Sequence, residues 1–194
     1  MTRSATITRT TNETDLRVEL NLDGTGQATA DTGLAFFDHM LQQLGKHAGF
    51  DLSVSCKGDL EIDGHHTVED CGIAFGQALA QALGDKAGVR RFASIVVPLD
   101  EAAVEVALDL AGRNFVVHDV PVPAETIGTF DTGLVEDFVR AFAQAAELTI
   151  HVHLKYGRSP HHVCEAEFKA IAKALGDACA PTGGGGVPST KGTL

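Results

Sequence analysis

Residues 65–85 read HHTVEDCGIAFGQALAQALGD, and residues 161–178 read HHVCEAEFKAIAKALGDA. Each stretch opens with His-His-x-x-Glu and continues as an alanine-rich amphipathic helix. Ser159-Pro160 forms an N-cap and first-turn pair for the second helix, and Asp63-Gly64 is expected to serve the first. Ile73, Phe75, Leu79 and Leu83 mark the buried stripe of the first helix. Working outward, Asp-Thr-Gly-Leu recurs at Asp31–Leu34 and Asp131–Leu134, each time ahead of another helical pattern. Alternating segments lie before each motif, LSVSC (52–56) and TIHVHL (149–154), and near the start of each half, LRVELNLDG (16–24) and AAVEVALDLAG (102–112). In the last, Val104, Val106, Leu108 and Leu110 repeat with period two, as in a strand with one buried face. Self-similarity over this distance points to a duplicated unit of strands, helix, strand, helix, and to an α+β layered fold. The expected units are residues 1–92 and 93–180. The Gly-rich tail, 181–194, is expected to become ordered only by a ligand or partner.

Composition narrows the function. Hydrophobic residues make up 44% of the 194, enough for a core. No apolar run reaches membrane-spanning length, and MTRSATITRTTNETD lacks the apolar stretch of a secretory signal. A net charge of −11 repels nucleic acid and anionic lipid, so neither is an expected partner. The four cysteines form no C-x-x-C pair and suit buried thiols in a reducing cytoplasm.

The nine histidines carry the chemistry. On a helix, His65 or His66 can share a metal with Glu69, and His161 or His162 with Glu165, because residues three and four apart share a face. Adjacent histidines diverge by about 100° at 3.6 residues per turn, so each doublet more naturally serves two different ions. His39 and His47 lie on one side of an earlier helix, and Asp137 falls near the equivalent of His39 in the second half. His118, His151 and His153 read as solvent-facing or hydrogen-bonded side chains. Imidazole nitrogen with carboxylate oxygen suits Mn, Fe, Zn or Ni, and open positions for substrate favour six-coordinate Mn(II). Ser189 and Lys191 in the tail, with Arg91, Arg113 and Lys169, are candidates for an anion clamp. A metal hydrolase and a metal-storing shell are the other readings that these residues allow.

FFDHML with a later His, DGHHTVED, Ala-Gly-Arg after a strand, SPHHVCEAEFKA and the tail VPSTKG together resemble imidazoleglycerol-phosphate dehydratase, over almost the whole chain. The resemblance implies two-layer βββαβα-type units (ribosomal protein S5 domain 2-like), with helices packed between two mixed sheets. It implies a hydro-lyase of histidine biosynthesis that converts D-erythro-imidazole glycerol phosphate to imidazole acetol phosphate. It further implies two Mn2+ per site and a homo-oligomer of 24 subunits with sites at interfaces. The metal ligands would be His39, His65, His66, Glu69, His161, His162 and Glu165. Asp137 stands where the family usually has His, and a carboxylate there can still ligate Mn(II). The phosphate would meet His47, Arg91, Arg113, Lys169, Ser189 and Lys191. Glu13 would contact substrate and shuttle the proton, with His39, Glu69 and Glu165 completing the catalytic set. The expected chemistry is expulsion of hydroxide from a metal-bound imidazolate.

Overall fold

A computed structural model describes residues 3–194. The first half runs β1 (Ser4–Thr10), β2 (Thr14–Asn21), β3 (Ala28–Asp31), α1 (Ala35–Ala48), β4 (Asp51–Gly58) and α2 (His65–Leu83). The second runs β5 (Phe92–Leu99), β6 (Ala102–Asp109), β7 (Phe115–Asp119), a short pair β8 (Thr126–Ile127) and β9 (Phe130–Asp131), α3 (Leu134–Ala145), β10 (Thr149–Tyr156) and α4 (Pro160–Cys179). The sheets are ordered β1-β2-β4-β3 and β5-β6-β10-β7. In each, two antiparallel ladders are followed by one parallel ladder, β3 on β4 and β7 on β10. The halves therefore match strand for strand and helix for helix, as the expected βββαβα duplication requires. The β8–β9 insertion lies between β7 and α3 and lengthens the second half ahead of its Asp-Thr-Gly-Leu segment. No helix among the described residues is long and apolar enough to cross a membrane.

Alternation builds the sheets. Leu16, Val18 and Leu20 of β2 and Val104, Val106 and Leu108 of β6 are buried, while Arg17, Glu19 and Ala107 face outward. The helices lie between the two sheets. Helix α2 packs on β1 and β2, α4 on β5 and β6, and the halves join through α1 against α4 and α2 against α3. Every helix sends phenylalanine into the centre. The Phe138 ring lies 5.5 Å from Phe37, 5.3 Å from Phe168 and 6.2 Å from Phe142, which stacks 4.9 Å from Phe75.

Small residues set how closely the helices approach. A Cβ at Gly72 would stand 2.9 Å from the Phe138 carbonyl oxygen, and one at Gly76 2.5 Å from that of Phe142. Gly176 meets the Ala48 carbonyl in the same way across α4 and α1. Helix–helix contact at this range fixes the relative height of side chains on facing helices, and the candidate site depends on that register.

Two expectations need correction. Ile73 is only half-buried, and the buried positions of α2 include Val68, Cys71, Phe75 and Leu79. Ser159 does cap α4, accepting from the His162 amide, but the cap residue of α2 is Gly64; Asp63 accepts instead from the His65 amide at 2.8 Å. The tail lies against the segment between α2 and β5. Arg91 donates to the Pro188 carbonyl at 2.7 Å, and Gly88 exchanges backbone bonds with Thr182 and Gly186. All four cysteines are buried and unpaired.

Candidate metal centre

Helix α4 starts at its Ser159 cap, so His161 and Glu165 rise on one face a turn apart. Helix α1, packed across it, brings His39 to the same face. His161 Nε2 is 3.0 Å from Glu165 Oε2, and His39 Nε2 is 3.4 Å from the same oxygen. Two imidazole nitrogens and a carboxylate oxygen all lie within 4.8 Å of one another. The second oxygen of Glu165 pairs with Lys169 Nζ at 2.7 Å. Burial disfavours the Glu165 carboxylate, but bonds from Lys169 and His161, with the charge of Lys169, outweigh it and lower its pKa to about 2. An ionised carboxylate beside two imidazoles is a donor set that fits a divalent ion of the Mn, Fe or Zn class.

The other helix pair repeats the arrangement. Helix α2 carries His65 and Glu69 at the same spacing as His161 and Glu165, and α3 supplies Asp137 where α1 supplies His39. This copy does not converge on one point. His65 Nε2 faces Glu69 at 3.7 Å while its Nδ1 faces Asp137 at 3.3 Å, so two carboxylates bracket one ring from opposite sides. Asp137 ends in carboxylate oxygens where an imidazole would end in a ring nitrogen. Asp137 is thus structurally the counterpart of His39, but the ligands expected around it remain apart within one chain.

The doublets split as helical geometry requires. The rings of His65 and His66 are 6.0 Å apart at 72°, and those of His161 and His162 are 6.1 Å apart at 83°. The second histidine of each pair meets a carboxylate that sequence reading missed. His66 Nδ1 donates to Asp59 at 3.0 Å, and His162 Nδ1 donates to Glu101 at 2.7 Å. These bonds raise the pKa of both histidines, and the His162 bond is the chief cause that holds Glu101 at about 2. Nothing in the spacing announced either partner. Asp59 precedes α2 in a loop, and Glu101 belongs to a hairpin 61 residues from His162. Glu13, in the β1–β2 turn, lies 3.7 Å from His66 Nε2 and stays exposed.

The expected anion clamp is only partly assembled. His47 lies on α1, has its pKa lowered by burial and the charges of Lys169 and Lys173, and contacts Gln43 at 3.0 Å. Lys169 and Lys173 thus place positive charge beside His47 at the α1–α4 seam. Lys173 was missed, although its four-residue spacing from Lys169 puts both on one helix face. Arg91 is engaged elsewhere, with Asp109 at 2.7 Å and the tail carbonyl of Pro188. Ser189 and Lys191 form a turn, the Lys191 amide donating to Ser189 Oγ at 3.2 Å. Arg113 is exposed just before β7. As expected, His118 is hydrogen-bonded, to Glu167 at 2.8 Å, and His151 and His153 lie on β10 opposite the buried Ile150 and Val152.

A family model described as imidazoleglycerol-phosphate dehydratase matches residues 32–175. Curated relatives of that name are 56% identical in Frankia casuarinae, over all of both chains, and 53% identical in Acidothermus cellulolyticus, over 99% of this chain and 93% of that one. The crystal structure of imidazoleglycerol-phosphate dehydratase from Staphylococcus aureus superposes with a TM-score of 0.82 at 35% identity, covering 93% of this chain and 99% of that one. The enzyme from Pyrococcus furiosus, solved in complex with (S)-C348, superposes at 0.80 with 32% identity, over 97% and 100%. With sequence likeness over the full length and the same fold, this chain belongs to the imidazoleglycerol-phosphate dehydratase family of hydro-lyases.

Proposed function

We propose that this enzyme dehydrates imidazole glycerol phosphate to imidazole acetol phosphate in histidine biosynthesis, using two divalent ions, with Mn2+ preferred. The convergence of His39, His161 and Glu165 carries the reading, because those three groups form a ready ligand set. His65, Glu69 and Asp137, with His66 and His162, are the proposed remaining ligands. A divalent ion held by these groups would supply Lewis acidity toward a nitrogen of the substrate's imidazole ring, lowering the proton affinity of that nitrogen.

The chain's own groups divide the rest of the work. Lys169 and Lys173 supply positive charge for a phosphate, with an N–H of His47 and Ser189 and Lys191 of the tail as further donors. Arg91 anchors the tail through Pro188, so its contribution to phosphate is as much placement as contact. Arg113 is the least engaged of the proposed phosphate groups. Glu13 is exposed beside His66 and is the proposed group that takes the C–H proton and returns it. General acid–base help of this kind contributes about 10²–10⁴-fold.

An assembled homo-oligomer, 24 subunits as in the resemblance, with sites at subunit interfaces, is supported by exposure. His39, His65, Asp137 and His161 side chains are each about 40% or more open to solvent in one chain. A dehydration site needs water excluded, which a second subunit laid over these helices would achieve. A cytoplasmic setting is in keeping with four unpaired thiols.

The test is conversion of imidazole glycerol phosphate by Mn2+-loaded protein, by chelated protein, and by chelated protein given Mn2+ back. Turnover that is lost and then restored is expected. Loaded protein without turnover overturns the reading. Glu13→Gln should keep its metal content and lose at least about 10²-fold in kcat; unchanged turnover would remove Glu13 from proton transfer.

A further inference from the structure

The duplicated frame makes the β1–β2 turn, which carries Glu13, the counterpart of the β5–β6 turn, which carries Glu101. Each turn presents a carboxylate to the second histidine of the nearer doublet, but to different ring atoms. Glu101 Oε2 accepts from His162 Nδ1 at 2.7 Å, while Glu13 stands 3.7 Å from His66 Nε2 and makes no hydrogen bond there. In the first half the Nδ1 partner is Asp59, from the loop between β4 and α2, at 3.0 Å. Two residues that are not equivalent in the duplication have arrived at the same contact.

That recurrence has a chemical reason. A neutral imidazole can place its proton on either nitrogen, and only the other nitrogen can donate a lone pair. A carboxylate at Nδ1 fixes the proton there, leaves Nε2 as the free donor, and pins the ring plane. Glu101 is itself well held, since its other oxygen accepts from the Ser159 and Arg158 amides at 2.7 and 3.4 Å. It therefore ties the orientation of His162 to the start of α4, the helix that also carries His161 and Glu165.

We propose that Asp59 and Glu101 are positioning residues that lock His66 and His162 with Nε2 free for a cation, and that Asp59, by taking this role in the first half, releases Glu13 for the substrate. The inference rests on the metal-dependent reading above. It assigns Glu13 and Glu101, topological twins, to different tasks, one exposed and not bonded to a histidine, the other held by three hydrogen bonds.

The test uses full-length protein with Asp59→Ala and Glu101→Ala, alongside Asp59→Asn and Glu101→Gln, whose amide oxygens can still accept from Nδ1. Nitrogen-15 NMR of metal-free protein should show wild-type His66 and His162 protonated at Nδ1 when neutral, and mixed tautomers in the alanine variants. Calorimetric titration with Mn2+ should show about 10–100-fold weaker binding in the alanine variants, partly restored in the amide ones. Both Glu101 variants give up an acceptor at Nδ1, at the Ser159 amide or at both, so the Asp59 variants, at a side chain bonded to His66 and not to the start of α4, carry the test if α4 loosens. Alanine variants with wild-type tautomers and Mn2+ affinity would overturn the positioning role and leave the metal reading standing. Wild-type protein that takes up no Mn2+ would overturn the metal reading and the purpose of the lock together, whatever the tautomers.

Discussion

Lys169 Nζ sits 2.7 Å from Glu165 Oε1, one turn along α4, while the other oxygen of that carboxylate faces His39 and His161. One ammonium thus neutralises part of the candidate ligand set and, with Lys173, places positive charge beside His47. Replacing it with an apolar chain of similar length separates the two roles. Lys169→Met should raise KM for the phosphate substrate by about 10–100-fold, the equivalent of a charge-assisted contact of roughly 1.5–3 kcal/mol. Mn2+ binding should hold or tighten, because Glu165 loses a competitor. Steady-state kinetics with metal titration checks both; an unchanged KM removes Lys169 from phosphate recognition.

Asp137 is the α3 counterpart of His39, and it lies 3.3 Å from His65. If it serves the second ion, Asp137→Ala should weaken one of two Mn2+ equivalents by at least about ten-fold, as loss of roughly 1.5 kcal/mol requires, and spare the other. Metal analysis against free Mn2+ gives the result directly. Two equivalents bound as in wild type would leave Asp137 a partner of His65 only.

Helix propensity alone ranks alanine above glycine by about 1 kcal/mol. At Gly76 the geometry reverses that sign, since an added Cβ would lie 2.5 Å from the Phe142 carbonyl oxygen and 2.7 Å from Ala145 Cβ. Gly76→Ala should therefore lose about 1–3 kcal/mol in urea denaturation, as overpacked cores do. Activity should fall as well, because the α2–α3 register sets the position of Asp137 against His65.

His118 and Glu167 form a buried pair at 2.8 Å, and Glu167 Oε2 has no hydrogen-bond partner among the described residues. Burial works against the charged imidazole, but the bond and charge of Glu167 outweigh it and raise the His118 pKa above 6.5. A raised folded pKa means the pair's contribution is complete below about 6.5 and fades as pH rises through the folded value. His118→Leu leaves a buried carboxylate uncompensated and should cost about 3–5 kcal/mol, while His118→Leu with Glu167→Leu should recover most of it. Denaturation at pH 6 and pH 9 checks the sign; a larger loss at pH 9 contradicts it.

Local periodicity and repetition made much of the molecule legible from residue order alone. Alternating Val104, Val106 and Leu108 announced a strand with one buried face, and Ser159-Pro160 announced the start of α4. His161 with Glu165, one turn apart, declared a ligand face before any fold was known. The splitting of each doublet also followed from 3.6 residues per turn. These features are set by neighbours in the chain, so they are readable there.

What lay beyond reach depends on which elements face one another. Helices α1 and α4 touch because Gly176 lets them approach, and only that contact brings His39 to Glu165. Asp59 and Glu101 reach their histidines from a loop and a distant hairpin, at spacings no local pattern encodes. Asp137 could be aligned with His39 by eye, but that it brackets His65 against Glu69 follows from the packing of α3 on α2. Residue order determined the candidate ligand types and the duplication; tertiary packing decided which of these side chains converge, because convergence is a property of facing surfaces and not of either one.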